Sequence, residues 1–167
     1  MWRPGFEFIR QVQAELSGYH RRLAIYSHHH RGTVERPGLV LGLDRSGSCV
    51  GIAFEVAEQH WTSCLTYVRN RELISDAYQE IIVPVSVEGQ ADPVLAVTYA
   101  VNRQHLQCAP PMSVEETMAY VAQGHGLSGS CAEYVRNTLT HLRAMGHHDA
   151  ELERLAPALE NLGGAHP

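Results

Sequence analysis

The sequence has no long apolar run. Its longest apolar stretches, such as residues 81–87, fall far short of the roughly 20 residues a helix needs to cross a bilayer, so no membrane-spanning helix is expected. The basic, hydrophobic, small-residue order of a signal peptide is also missing. Lys and Arg number 13 among 167 residues, none of them gathered in a long run, and the formal net charge is −5. Phosphate binding draws on clustered cations, so a nucleic-acid partner is not expected. The four cysteines, Cys49, Cys64, Cys108 and Cys131, include no Cys-x-x-Cys pair, which argues against a zinc knuckle and against a disulfide scaffold. These absences leave small-molecule work in a reducing cytosol as the expectation.

What is present suffices for one good core. With 167 residues, 44% hydrophobic and 19% charged, and no linker to divide it, the chain is expected to form a single domain over residues 1–167. Period-two alternation between turn signals dominates the first two thirds. Val50, Ile52, Phe54 and Val56 alternate, and Asp44-Arg45-Ser46-Gly47 is expected to turn that strand back on 39–43 as a hairpin. In a second hairpin, Ile81, Val83, Val85 and Val87 lead through Gly89-Gln90 to Leu95, Val97, Tyr99 and Val101, with Pro84 hinting at an edge strand. Between them Trp61, Cys64, Leu65 and Val68 recur at helical spacing, predicting an amphipathic helix over about 57–69. Beyond Pro110-Pro111 the pattern turns helical. Ser113 with Glu116 and Ser130 with Glu133 have capping-box spacing, Asp149 suits a third cap, and Gly124, Gly146 and Gly163 suit helix stops. Strands followed by helices predict an α+β domain.

Two motifs lack the context their chemistry needs. Gly124-His125-Gly126-Leu127-Ser128-Gly129 fits a dinucleotide-binding pattern, but it follows a predicted helix and has no βαβ unit around it. His28, His29 and His30 are adjacent, so their side chains cannot all face one ion, and no carboxylate or cysteine stands at ligand spacing. Cys64 lies on an apolar helix face and reads as core, and no cysteine stands out as a nucleophile.

Several separated blocks occur in one order: Met1-Trp2-Arg3-Pro4, Gly18-Tyr19-His20-Arg21-Arg22, His30-Arg31-Gly32-Thr33 running into Arg36-Pro37-Gly38-Leu39-Val40, and Gly47-Ser48-Cys49 to Phe54. Arg71-Glu72 with Tyr78 follows, then Gly126-Leu127-Ser128-Gly129-Ser130-Cys131 through Tyr134 and Asn137 to Leu142-Arg143. From residue 2 to about residue 155 the sequence resembles the ChaC-like branch of the gamma-glutamylcyclotransferases, which release 5-oxoproline from glutathione. The resemblance implies a small mixed β-barrel with helices packed around it. In that family a Tyr-Gly-Ser-Leu loop, whose amides grip the γ-glutamyl unit, stands directly before Met-Trp. This sequence starts just after that position, which leaves two readings open: a start assigned too late at an internal Met codon, or a truncation that removes the first strand and part of the substrate site. A barrel lacking a strand would expose unpaired backbone along two edges.

The implied reaction requires the glutamyl α-ammonium to lose a proton so that its nitrogen can attack the γ-carbonyl. A carboxylate can accept that proton, and intramolecular attack needs no metal or cofactor. The resemblance makes Glu72 the general base and then the acid, with Tyr78 as pocket wall or hydrogen-bond donor. By itself a lone Glu at a helix end is far more often a solvated charge. The family often has Gly where Asp76 stands, which leaves the exact path of that loop open. Ser128, Gly129 and Ser130, before a helix whose free amides favour an anion, are candidates to seat a glutathione carboxylate, with Tyr134 lining the pocket. An ordinary capped helix start competes with that reading. Arg31 is a candidate for anchoring a loop or for meeting a substrate carboxylate. The leading expectation is a glutathione-cleaving gamma-glutamylcyclotransferase. The alternative is a truncated, non-catalytic relative that binds γ-glutamyl ligands or a partner.

Overall fold

The computed structural model describes residues 4–163, so Met1, Trp2 and Arg3 of the first family block lie outside the described residues. Four strands, β1 (Arg10–Ser27), β2 (Gly38–Glu55), β3 (Tyr78–Val87) and β4 (Val94–Val101), close into a barrel in the order β1-β2-β4-β3. The seam between β1 and β3 places Ala14 opposite Val87 and Glu15 opposite Ser86, and is extended by the Glu88 amide donating to the Gln13 carbonyl at 3.1 Å. The barrel therefore closes with these strands, and the gap expected from an absent first strand is not seen among the described residues.

The expected hairpin at 44–47 is not formed. β2 runs unbroken through 18 residues, and the turn formers bend it locally instead. Ser46 has φ 119° and Gly47 has φ 65°, the positive values by which an extra residue kinks a strand without ending it. The buried Asp44 carboxylate fixes the kink, accepting from the Arg45 amide at 2.8 Å and from the Arg103 guanidinium.

The second hairpin forms as expected, with Gly89 at φ 79° in its turn. Its register sets Glu80 opposite Tyr99 and Ile81 opposite Thr98. The two alternating apolar series consequently stand on opposite faces: Val85 and Val87 are buried, whereas Leu95 is 76% exposed. The predicted helix between the strands is α1, Trp61–Glu72, led in by a 3₁₀ turn at Glu58–His60. It extends three residues past the predicted 57–69, which makes Glu72 its last residue rather than one just past its end.

The residues group into two compact units, with described parts 4–20 plus 44–103 and 21–43 plus 104–163. The second unit holds α2 (Val114–Gln123), a small hairpin of β5 (His125–Gly126) and β6 (Gly129–Ser130), α3 (Cys131–Ala144), α4 (Ala150–Glu153) and α5 (Ala156–Gly163). Its core includes Leu39, Val121, Cys131, Val135, Leu142, Leu152 and Leu159. Ser113 forms the full capping box with Glu116, and the Ser130 and Asp149 side chains accept from Glu133 and Leu152 amides. The third helical segment breaks into α4 and α5. Pro157 explains the break, because it lacks the amide a continuous helix would need and its ring would meet the Glu153 carbonyl.

The helix stops work in different ways. Gly146 adopts φ 76° after α3. Gly124 ends α2 in extended backbone, and space is what requires glycine there: a Cβ would lie 2.5 Å from the Arg31 carbonyl oxygen and 2.6 Å from Gly38 Cα. Gly124→Ala is expected to destabilise the protein by about 1–3 kcal/mol through that backbone clash. Gly146→Ala, strained only by its positive φ, is expected to cost about 1 kcal/mol. Urea unfolding of both variants measures the order.

Candidate functional site

The last turn of α1 carries Arg69 and Glu72, which at i, i+3 spacing share one helix face. Glu72 is half-buried, its side chain 24% exposed, and Arg71 Nε lies 3.3 Å from its Oε1. The chain then turns through a short loop. Asp76 has φ 55°, the left-handed region that glycine enters freely and that Asp tolerates better than most side chains. This is a physical reason for Gly and Asp to exchange at this position. Asn102 ties the loop to the end of β4: its side-chain amide donates to the Asp76 carbonyl at 3.0 Å, and its backbone amide donates to the Ala77 carbonyl at 2.9 Å. Tyr78, half-buried, then opens β3 opposite Val101.

Three residues that the sequence reading missed belong to this cluster. Arg69 Nε and Nη2 each stand 2.7 Å from a different oxygen of Glu80, a two-pronged pairing. Across the hairpin, the Tyr99 hydroxyl donates to Glu80 Oε2 at 3.0 Å. The Arg69 hydrogen bond holds the Glu80 carboxyl below its ordinary range, against the opposing effect of burial. Burial first, then the bond to Glu80 and the charges of Glu80 and Glu72, push the Tyr99 hydroxyl well above its usual value. The available signals were the Arg69 to Glu72 spacing and a lone carboxylate, Glu80, heading an apolar strand. At the other end of α1, Phe6, Glu7, His60, Cys64 and Tyr67 line an open cleft of about 330 Å³ that includes none of the sequence-predicted residues.

In the second unit the 125–130 hairpin is bound to the 28–31 segment. Leu127 and Ser128 amides donate to the His29 and His30 carbonyls, both at 2.9 Å. The Arg31 guanidinium donates to the Ser128 and Ser130 carbonyls and lies over the Tyr134 ring, 5.1 Å from its centre. Of its two expected roles, this geometry is the loop anchor. Ser130 Oγ accepts from the Glu133 amide at 3.1 Å as the cap of α3, Ser128 Oγ lies 3.0 Å from His30 Nδ1, and Gly129 has φ 98° in the hairpin. The Tyr134 hydroxyl accepts from the Leu41 amide at 3.2 Å, and burial raises its proton affinity. Gly124, Gly126 and Gly129 thus shape a helix end and a hairpin, not a strand-to-helix phosphate cradle. Cys131 is buried, donating to the Leu39 carbonyl at 3.1 Å.

The family model for ChaC-like proteins matches residues 1–162. This chain belongs to the ChaC-like family. Among relatives of this ChaC-like chain, glutathione-specific gamma-glutamylcyclotransferase 1 of Danio rerio is 30% identical over 146 residues, covering 86% of this chain and 74% of that protein. The Homo sapiens protein of the same name is 26% identical over 166 residues, covering 98% and 74%. The glutathione-specific gamma-glutamylcyclotransferase of Schizosaccharomyces pombe is 26% identical over 170 residues, covering 91% and 83%. A crystal structure of the yeast gamma-glutamylcyclotransferase specific to glutathione superposes with a TM-score of 0.82 at 19% identity, covering 93% of this chain and 89% of that one. That likeness establishes the shared fold.

The Arg69 pairing makes the contribution of Glu80 depend on pH. A carboxyl whose folded value is depressed contributes stability in full above its ordinary value of 4.5 and loses it as pH falls through the lower folded value. The stability advantage of the wild type over Glu80→Gln is therefore expected to be constant above pH 5 and to shrink towards pH 3, as followed by urea unfolding across that range.

Proposed function

We propose that this chain is a glutathione-specific gamma-glutamylcyclotransferase, a lyase that converts glutathione into 5-oxoproline and cysteinylglycine. Its substrate is a small molecule. The reading is carried by a half-buried carboxylate, Glu72, at the end of α1, in a ChaC-like chain similar to relatives of that activity.

In this mechanism Glu72 takes a proton from the glutamyl α-ammonium. The freed nitrogen attacks the γ-carbonyl carbon, forming the ring C–N bond and a tetrahedral intermediate. The C–N bond to the cysteine nitrogen then breaks, and the same carboxyl carries two protons in turn from the attacking to the departing nitrogen, so that the ring nitrogen keeps one hydrogen and cysteinylglycine leaves as an ammonium. No water enters, and charge balances without a second reagent. Because the nucleophile and the carbonyl belong to one molecule, holding the substrate folded replaces much of the work of covalent catalysis. Tyr78, six positions beyond Glu72, is assigned to the pocket wall.

Ser128, Gly129 and Ser130, with Arg31 bracing their hairpin and Tyr134 beneath the guanidinium, are proposed separately as contacts for a substrate carboxylate. The four cysteines, none of them in a Cys-x-x-Cys pair, suit a cytosolic location. No helix among the described residues is long and apolar enough to cross a membrane.

Glu72→Gln keeps the side-chain shape but cannot accept a proton. It is expected to fold normally and to lose about 10²–10⁴-fold in turnover, measured as 5-oxoproline and cysteinylglycine by mass spectrometry after incubation with glutathione. Turnover equal to wild type would remove Glu72 from the chemistry. Ser130→Ala is expected to lower stability by about 1 kcal/mol through loss of the cap and to raise the Michaelis constant for glutathione. An unchanged constant would reduce Ser130 to its capping role.

A further inference from the structure

Tyr99 has a single hydroxyl proton, and it is committed. It is donated to Glu80 Oε2 at 3.0 Å. Glu80 is a fixed acceptor, because Arg69 grips both of its oxygens, each at 2.7 Å, from a helix turn one face of which also carries Glu72. A charge-assisted fork of this kind sets direction as well as distance. A phenol whose proton is engaged offers other groups only its oxygen lone pairs. Arg69, which holds Glu80 and shares a helix face with Glu72, links that carboxylate to the phenol, and the Glu72 charge adds to the raised proton affinity of the Tyr99 hydroxyl. A ligand group that reaches both Glu72 and Tyr99 therefore meets a carboxylate and a phenol oxygen that can only accept. An ammonium, with three N–H donors and a positive charge, matches that demand, whereas a carbonyl or carboxylate does not.

We propose that Tyr99 is a second acceptor for the α-ammonium of the substrate, beside Glu72, and that Arg69 and Glu80 are the positioning pair that turns its proton away. This role for Tyr99 rests on the reading of Glu72 as the acid/base. Glu72 would receive the proton, and Tyr99 would hold the nitrogen in place before and during its release.

The test measures steady-state kinetics of wild type, Tyr99→Phe, Glu80→Gln and the Tyr99→Phe/Glu80→Gln double variant with glutathione. It also measures inhibition by N-acetylglutathione, which has no ammonium and cannot cyclise. Tyr99→Phe is expected to raise KM for glutathione about tenfold, the size of a lost hydrogen bond to a charged group, while its inhibition constant for N-acetylglutathione stays at the wild-type value. Glu80→Gln should raise KM in the wild-type background and raise it less in the Tyr99→Phe background, because the part of its effect that passes through the phenol is already lost there.

A KM within about twofold of wild type for Tyr99→Phe, or equal weakening of both ligands, overturns the assignment. Glu72→Gln run alongside separates the two levels. If that variant is silent while Tyr99→Phe leaves KM unchanged, only the role of Tyr99 fails. If it turns over normally, the acid/base reading falls and the ammonium site falls with it.

Discussion

The forked pairing of Arg69 with Glu80 fastens the end of α1 to β3, and the placement of Glu72 depends on it. α1 is 12 residues long and buries only Cys64 and Val68, both before its last turn. A helix of that length is marginal without tertiary support. Its C-terminal turn has no buried apolar side chain, so an ionic contact takes over the positioning. With half of the Arg69 side chain in solvent, the pair adds little to global stability, since exposed ion pairs are screened and entropically costly. What the fork supplies is direction: two parallel bonds restrict how the turn can rotate about the strand. The Tyr99 hydroxyl and the Asn102 contacts to the 76–77 backbone complete that restriction from β4.

Much of this arrangement was legible in the sequence, for reasons that differ by element. The 78–101 hairpin was readable because alternation and a glycine turn are local. The Ser113 and Asp149 caps were readable because a side chain meets an amide three positions on. Asp44 to Gly47 misled because the same residue types satisfy a hairpin turn and a kink in a continuing strand. The deciding contact, Arg103 on the buried Asp44, comes from 59 positions away. Glu72 was singled out only through family resemblance, since nothing local distinguishes it from a solvated helix-end carboxylate. Its companions Glu80 and Tyr99 were missed because their meeting depends on β-register, which spacing alone does not fix.

In the second unit the dominating constraint is steric. Gly38, Gly124 and Cys131 crowd so closely around the Arg31 carbonyl that side chains are excluded at both glycines. That closeness lets the 28–31 segment and the 125–130 hairpin bond backbone to backbone, with the Arg31 side chain closing over the hairpin carbonyls and Tyr134. A motif that looked like a nucleotide cradle is thereby explained as packing.

The burial of the cysteines has a consequence for redox behaviour. Desolvation pushes the thiols of Cys64 and Cys131 above their ordinary range, and Cys49 is buried as well. Thiol–disulfide exchange proceeds through the thiolate and needs access to it, and these positions offer little of either. These three thiols are thus kept out of that exchange. Cys108, half-buried, is the least enclosed of the four.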